Sequence, residues 1–144
     1  MKIDEILAEW YDDSRIELDQ LTLESLNIPT LHGKYYNFLA QEKVLYREQT
    51  ARRDFFIKLK WDYYQGNLDD ETLKEYKWDQ WSMRILKGDM DRYLAADEDL
   101  ITINLKLGVI KDRIDLLTSI ITNINTRNWS IKNIIDWEKF KHGA

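Results

Sequence analysis

Apolar residues recur along this chain at spacings of three and four, the period of a helix with one buried face. Ile3, Ile6, Leu7 and Trp10 share a face and predict a short amphipathic helix over 2–12, closed by Asp12-Asp13-Ser14. Ile16, Leu18, Leu21 and Leu23 follow no single period, and a second short helix is expected over 20–26 with Asp19 as its N-cap. Pro29 suits the first turn of a helix, where a missing N–H costs nothing. From there a long helix is predicted over 30–65, stopped by Gly66-Asn67. Its apolar residues Phe38, Leu45, Phe55, Phe56, Leu59 and Tyr63 gather on one broad side. Arg52 and Glu48 intrude there at a spacing suited to an ion pair.

Asp69-Asp70-Glu71 opens a short helix to Tyr76, with acids at the positive end of its dipole. Residues 78–87 read as irregular and aromatic, and Gly88-Asp89 as a break before a helix over 89–123. That helix carries the most regular pattern in the chain. Leu100, Ile103, Leu107, Ile110, Ile114, Leu117, Ile121 and Ile124 alternate three- and four-residue steps, a heptad seam. Val109, Leu116 and Ile120 form a row beside it, and Gly108 leaves room for another backbone. Two adjacent apolar faces call for two partners: the long helix of the same chain, and a neighbouring subunit. Asn125-Thr126-Arg127-Asn128 reads as a turn, with Ser130 capping a last helix over 131–140 whose apolar side holds Ile131, Ile134, Ile135 and Trp137. The fold class expected is all-α, a long helical hairpin with short flanking helices.

Composition narrows the function. The 144 residues suit one domain, and the absence of Cys removes disulfides, Cys-based zinc sites and a Cys nucleophile. No apolar run approaches the roughly 18 residues of a membrane span, and the start is acidic without a signal-like apolar stretch, so a soluble cytoplasmic protein is the expectation. His32 and His142 stand far apart without metal-ligand spacing, and no Gly-rich phosphate loop or nucleophile elbow occurs. Asp97-Glu98-Asp99 admits a metal-site reading, as in a small nuclease, but fits the acidic first turn of a helix. Neither a catalytic residue nor a metal or other cofactor is expected. The net charge of −5 is unevenly spread: between Leu31 and Gln65 seven Lys/Arg face four Asp/Glu, a local +3, leaving −8 elsewhere. A basic helix on an acidic body suits contact with a polyanion.

The stretch Lys58-Leu59-Lys60-Trp61-Asp62-Tyr63-Tyr64-Gln65-Gly66 interleaves two lysines with aromatics at the end of that helix. Lysines neutralise phosphates, and aromatic rings offer stacking surfaces to unpaired bases. The same residues also make a solvated basic face above an aromatic core, so the pattern leaves both readings open, including a helical protein–protein scaffold without direct DNA binding.

This stretch resembles the basic–x–basic–apolar–Asp–Tyr–Tyr–x–Gly signature of the UvsY family of phage recombination mediators. Leu94-Ala95-Ala96-Asp97-Glu98-Asp99-Leu100 is similar to the family's acidic helix start, and Ile131 to Phe140 to its C-terminal helix. The resemblance covers residues 30–141. It implies a cyclic homo-oligomer, hexamer or heptamer, that binds single-stranded DNA and contacts a RecA-like recombinase and a single-strand-binding protein in the cytoplasm of the infected bacterial host. The mediator helps the recombinase displace that protein and nucleate the presynaptic filament, in DNA recombination, repair and replication. The resemblance places single-strand contact at Lys58 and Lys60, and the basic helix itself offers Arg53, Lys43 and Arg47 as further cations. Where the best-known member of the family carries Arg at the second basic position, this chain has Lys60, which neutralises a phosphate without a planar two-point contact. Self-association is expected through Val109, Leu116, Ile120, Ile114, Leu117, Ile134 and Trp137. The segments implied are 1–28 (short helices), 29–88 (DNA contact and connection) and 89–144 (core and oligomerisation).

Overall fold

The computed structural model describes residues 1–143, and among these every regular element is a helix. They are α1 (Ile3–Asp13), α2 (Leu21–Leu26), α3 (Ile28–Tyr64), α4 (Asp70–Tyr76), α5 (Lys87–Ala95) and α6 (Glu98–Lys141). At the start of α1, Glu5 reaches back to accept the Lys2 N–H at 2.8 Å, one half of a capping box. The N-cap of α2 is Gln20, without a side-chain bond, and not Asp19. Asn27 joins α2 to α3: its N–H bonds to Leu23 O and its carbonyl accepts from Leu31 N, so α3 starts at once with Pro29 in its first turn.

The last two expected boundaries differ. The helix expected over 89–123 is two helices. Gly88 lies inside α5, and the break falls at Ala96-Asp97, where the Asp97 carboxylate accepts the Leu100 N–H at 3.0 Å and caps α6. The turn expected at 125–128, with Ser130 as a cap, is absent: α6 runs unbroken to Lys141. The polar residues there are compatible with helix. Thr126 Oγ1 donates to Asn123 O, and Arg127 takes the inward position between Ile124 and Ile131 that an apolar residue would occupy.

Packing divides the chain by a different cut from segments 1–28, 29–88 and 89–144. One unit comprises Met1–Val44 with the stretch from Ile110 onward, the other Leu45–Val109. The first holds a core of Ile6, Leu31, Tyr35, Leu39, Leu117, Ile120 and Ile124, so three helices meet through aliphatic contacts. Full burial of each such side chain contributes about 1.5–3 kcal/mol. Charged groups join the same elements. Glu42 and Arg113 pair at 2.8 Å, both nearly buried, and Tyr35 donates to Asp13, which Lys34 also meets. Arg127 gives its guanidinium to Ser14 O, Arg15 O and Glu24, clamping the segment after α1 to α2.

The second unit packs Tyr64, Ile85 and Met90 against a shell of Trp61, Tyr63, Trp81, Tyr93 and Leu94. No Arg52–Glu48 pair forms; Arg52 lies over the Phe56 ring at 5.5 Å.

Candidate nucleic-acid interface

The signature at the end of α3 does two separate jobs. Its Asp-Tyr-Tyr-x-Gly half stops the helix and ties it down. Gly66 takes a left-handed φ of 73°, its N–H bonds to Tyr63 O, and the Asn67 N–H reaches back to Asp62 O, the paired closure of a Schellman end. Tyr63 donates to Asp79 O at 2.7 Å, and Tyr64 donates to Asp97 at 2.6 Å.

Lys60 belongs to this internal half. Only 4% exposed, its ammonium lies 3.0 Å from Asp97 and 2.8 Å from Asp99, and 3.8 Å from the Trp78 ring centre. Two carboxylates and a π face occupy all its directions, so a phosphate would have to compete with two existing anions. Burial alone would raise the Asp97 carboxyl, but hydrogen bonds from Tyr64 and Leu100 and the pair with Lys60 outweigh it and hold it below the usual carboxylate range. Tyr64 is pushed well above the usual phenol range by burial and by its bond to Asp97. Trp78 reaches Lys60 because Lys77, just past α4, adopts a left-handed φ of 58°, with the Trp78 N–H closing back to Leu73 O. Trp78 also stacks on Tyr76 at 4.8 Å.

Lys58, two residues earlier, is exposed and has no ion pair or hydrogen bond among the described residues. Arg52 is exposed as well and touches only the Phe56 ring among them. Arg53 is half-buried and turned to its neighbour Asp54 at 3.3 Å. Arg47 is exposed in the same unit, and Lys43 is exposed in the other; each is engaged within the chain. The aromatics that the signature offers for stacking are inside: Tyr64 is buried, Trp61 and Tyr63 half-buried. Phe55, which the helical wheel assigns to the apolar side, is instead 56% exposed. Arg52 and Phe55 are thus the residues of this surface that the apolar pattern assigns to the inner side. Their signal is a basic–x–x–Phe–x–x–basic spacing, Arg52, Phe55 and Lys58, which puts all three on neighbouring positions of one side.

The residues expected to join subunits divide the same way. Leu117 and Ile120 are buried in the first unit's own core, and Ile114 and Leu116 pack against it. Ile134 is half-buried, whereas Val109 and Trp137 are exposed, Trp137 stacked on an exposed Phe140 at 5.5 Å. The heptad seam therefore serves this chain's own packing at most of its positions. Beyond its own stretch of α6, nothing among the described residues comes within 4 Å of where a Cβ would sit on Gly108.

Among the described residues no three His, Asp or Glu side chains gather as metal ligands. His32 stacks on Tyr36, and His142 faces Glu138 at 3.7 Å. Of the acidic triplet, Asp97 caps α6 and Asp99 meets Lys60. Among the described residues no helix is long and apolar enough to cross a membrane.

Solved structures share this fold over nearly the whole chain. Two crystal structures of the bacteriophage T4 recombination mediator protein UvsY superpose with TM-scores of 0.85 and 0.84 at 26% identity, covering 99% and 95% of this chain and 98% of each of theirs. The fold is thus that of a helical recombination mediator. The recombination protein uvsY of Enterobacteria phage T4 is 25% identical over 143 residues, 99% of either chain. Residues 9–144 match the family described as recombination, repair and ssDNA binding protein UvsY, and the chain belongs to that family.

Proposed function

We propose that this protein is a recombination mediator that binds single-stranded DNA as a homo-oligomeric ring, helps a RecA-like recombinase displace the single-strand-binding protein, and nucleates the presynaptic filament. The observation that carries the reading is Lys58, exposed and without a carboxylate partner, in a chain whose family is described as binding single-stranded DNA. Lys58 and Arg52 make the primary phosphate contacts, with Arg47 and Lys43 adding charge along α3. Lys60 supports the strand contact indirectly, by anchoring the end of α3 that carries Lys58. Exposed Trp137, Phe140 and Val109 supply contacts between subunits. Each subunit binds weakly, and assembly multiplies the contacts, a gain of roughly 10²–10⁴ where geometry lets the sites engage together.

The test is the salt dependence of binding to a short single strand. Lys58→Ala should weaken binding and lower the log–log slope by about 0.7 for each phosphate no longer neutralised. Thermal stability and the sedimentation profile should stay unchanged. An unchanged slope and affinity in an intact assembly would remove Lys58 from the interface. Assembly without any salt-sensitive binding in the wild type would leave a protein–protein scaffold.

A further inference from the structure

The geometry points to Phe55 as the residue that stacks on an unpaired base and gives the DNA contact its preference for single strands. This inference rests on the single-strand reading above. Among the described aromatics of the second unit, Phe55 is the one that faces outward. Phe56 turns to Tyr76 at 5.6 Å, and Tyr63, Tyr64, Trp78, Trp81 and Tyr93 contact one another. Leaving much of a phenyl ring in water forgoes the gain that burial would bring. Its position is held by the Phe56 ring edge-on at 5.8 Å, and that ring is fixed in turn by Tyr76 and Arg52.

The neighbours of Phe55 identify its occupant. Arg52 and Lys58 lie one turn before and one turn after it, on the same side of the helix and about 9 Å apart along the axis. Both are exposed, and neither has a carboxylate partner among the described residues. An apolar protein surface laid over Phe55 would have to desolvate two unpaired cations, a cost that nothing offsets. A single strand meets all three groups: phosphates pair with the cations while a base covers the ring. Bases in a duplex are already stacked on each other, so only an unpaired strand gains from the ring.

The experiment compares an oligothymidylate with an abasic oligonucleotide of equal length, by fluorescence anisotropy, for the full-length wild type, Phe55→Ala, Phe55→Tyr and Lys58→Ala. The wild type should prefer the base-bearing strand. Phe55→Ala should lose about ten-fold in affinity for that strand per engaged site. It should bind the abasic strand as the wild type does, with the same salt slope, and Phe55→Tyr should restore the preference. Lys58→Ala should weaken both strands together. The inference is overturned if Phe55→Ala leaves the preference intact, weakens both strands equally, or changes the sedimentation profile, which would make the ring a subunit contact. If Lys58→Ala lowers the slope while Phe55→Ala is silent, only the stacking role falls. If the wild type binds neither strand, the single-strand reading falls and takes this one with it.

Discussion

The two packing units use the same long helix for opposite purposes. In the first, α3 turns Leu31, Tyr35 and Leu39 inward, and the aliphatic seam of α6 meets them. In the second, the inward positions of α3 include Lys60 and the half-buried Arg53, and the core is a small aromatic cluster around Tyr64. Aliphatic burial is non-directional and tolerates substitution of similar volume. A buried ion pair is directional: intact it adds little over an apolar pair, but broken it leaves a charge without compensation. In the second unit the polar node, Lys60 with Asp97 and Asp99, adjoins the small core itself through Tyr64, so a change at that node reaches the exposed Lys58 through the backbone of α3.

The largest expected effect comes from Asp97→Ala. It removes the α6 cap, the acceptor of Tyr64 and one of two partners of Lys60. Breaking a buried pair of this kind costs about 3–5 kcal/mol. Amide exchange should rise first over 45–109, the second unit. Leu117→Ala, in the fully buried core of the first unit, should cost about 2–5 kcal/mol and raise exchange in α1 and the start of α3 instead. If both variants loosen all six helices together, the chain is one cooperative structure and the contrast between units has no energetic meaning.

That contrast also explains what was legible in the sequence. The seam from Leu100 to Ile124 was readable because α6 buries apolar side chains at regular steps, and the matching half of α1 was readable for the same reason. The inner face of α3 was not. Glu42 and Lys60 fill buried positions where periodicity expects apolar residues, so the wheel chose a side that leaves Phe55 and Leu45 exposed. Arg127 hid the continuity of α6 likewise: a charged residue among Asn and Thr reads as a turn until Ser14, Arg15 and Glu24 come round from elsewhere to meet it. At the proposed site, the motif names two lysines but not which of them faces inward. Spacing sets them two apart, on different sides of the helix, and only the tertiary partners of Lys60 tell the inner from the outer.

Acid sharpens the comparison with a smaller effect. The Asp97 carboxyl is held below its usual range in the folded chain, so its contribution to stability is complete above about pH 4, the ordinary range of a free Asp, and is lost as pH falls through the lower folded value. Exchange in the second unit should therefore accelerate in that window. Asp97→Asn, which keeps one oxygen to cap Leu100 but loses the charge and the second oxygen that accepts from Tyr64, should start less stable and lose the acid slope. An unchanged slope in Asp97→Asn would mean that other carboxyls carry the acid response.

The smallest effect separates two helix ends within the second unit. α3 and α4 both close through a left-handed residue, but one uses Gly66 and the other Lys77. A side chain in that conformation costs about 1–2 kcal/mol, which glycine avoids. Gly66→Ala should lose about 1 kcal/mol from the backbone alone, because the new Cβ would meet Trp81 O at 3.6 Å, an ordinary contact. Lys77→Gly should gain about 0.5–1 kcal/mol, since the relief of strain exceeds the added freedom of the unfolded chain. Trp78 would stay over Lys60, so strand affinity should not move. Chemical denaturation of both variants beside strand binding decides the matter. A Lys77→Gly protein that is more stable yet binds DNA less well would mean that the exposed Lys77 cation itself faces the strand, and that the strain at this helix end is kept for function and not for folding.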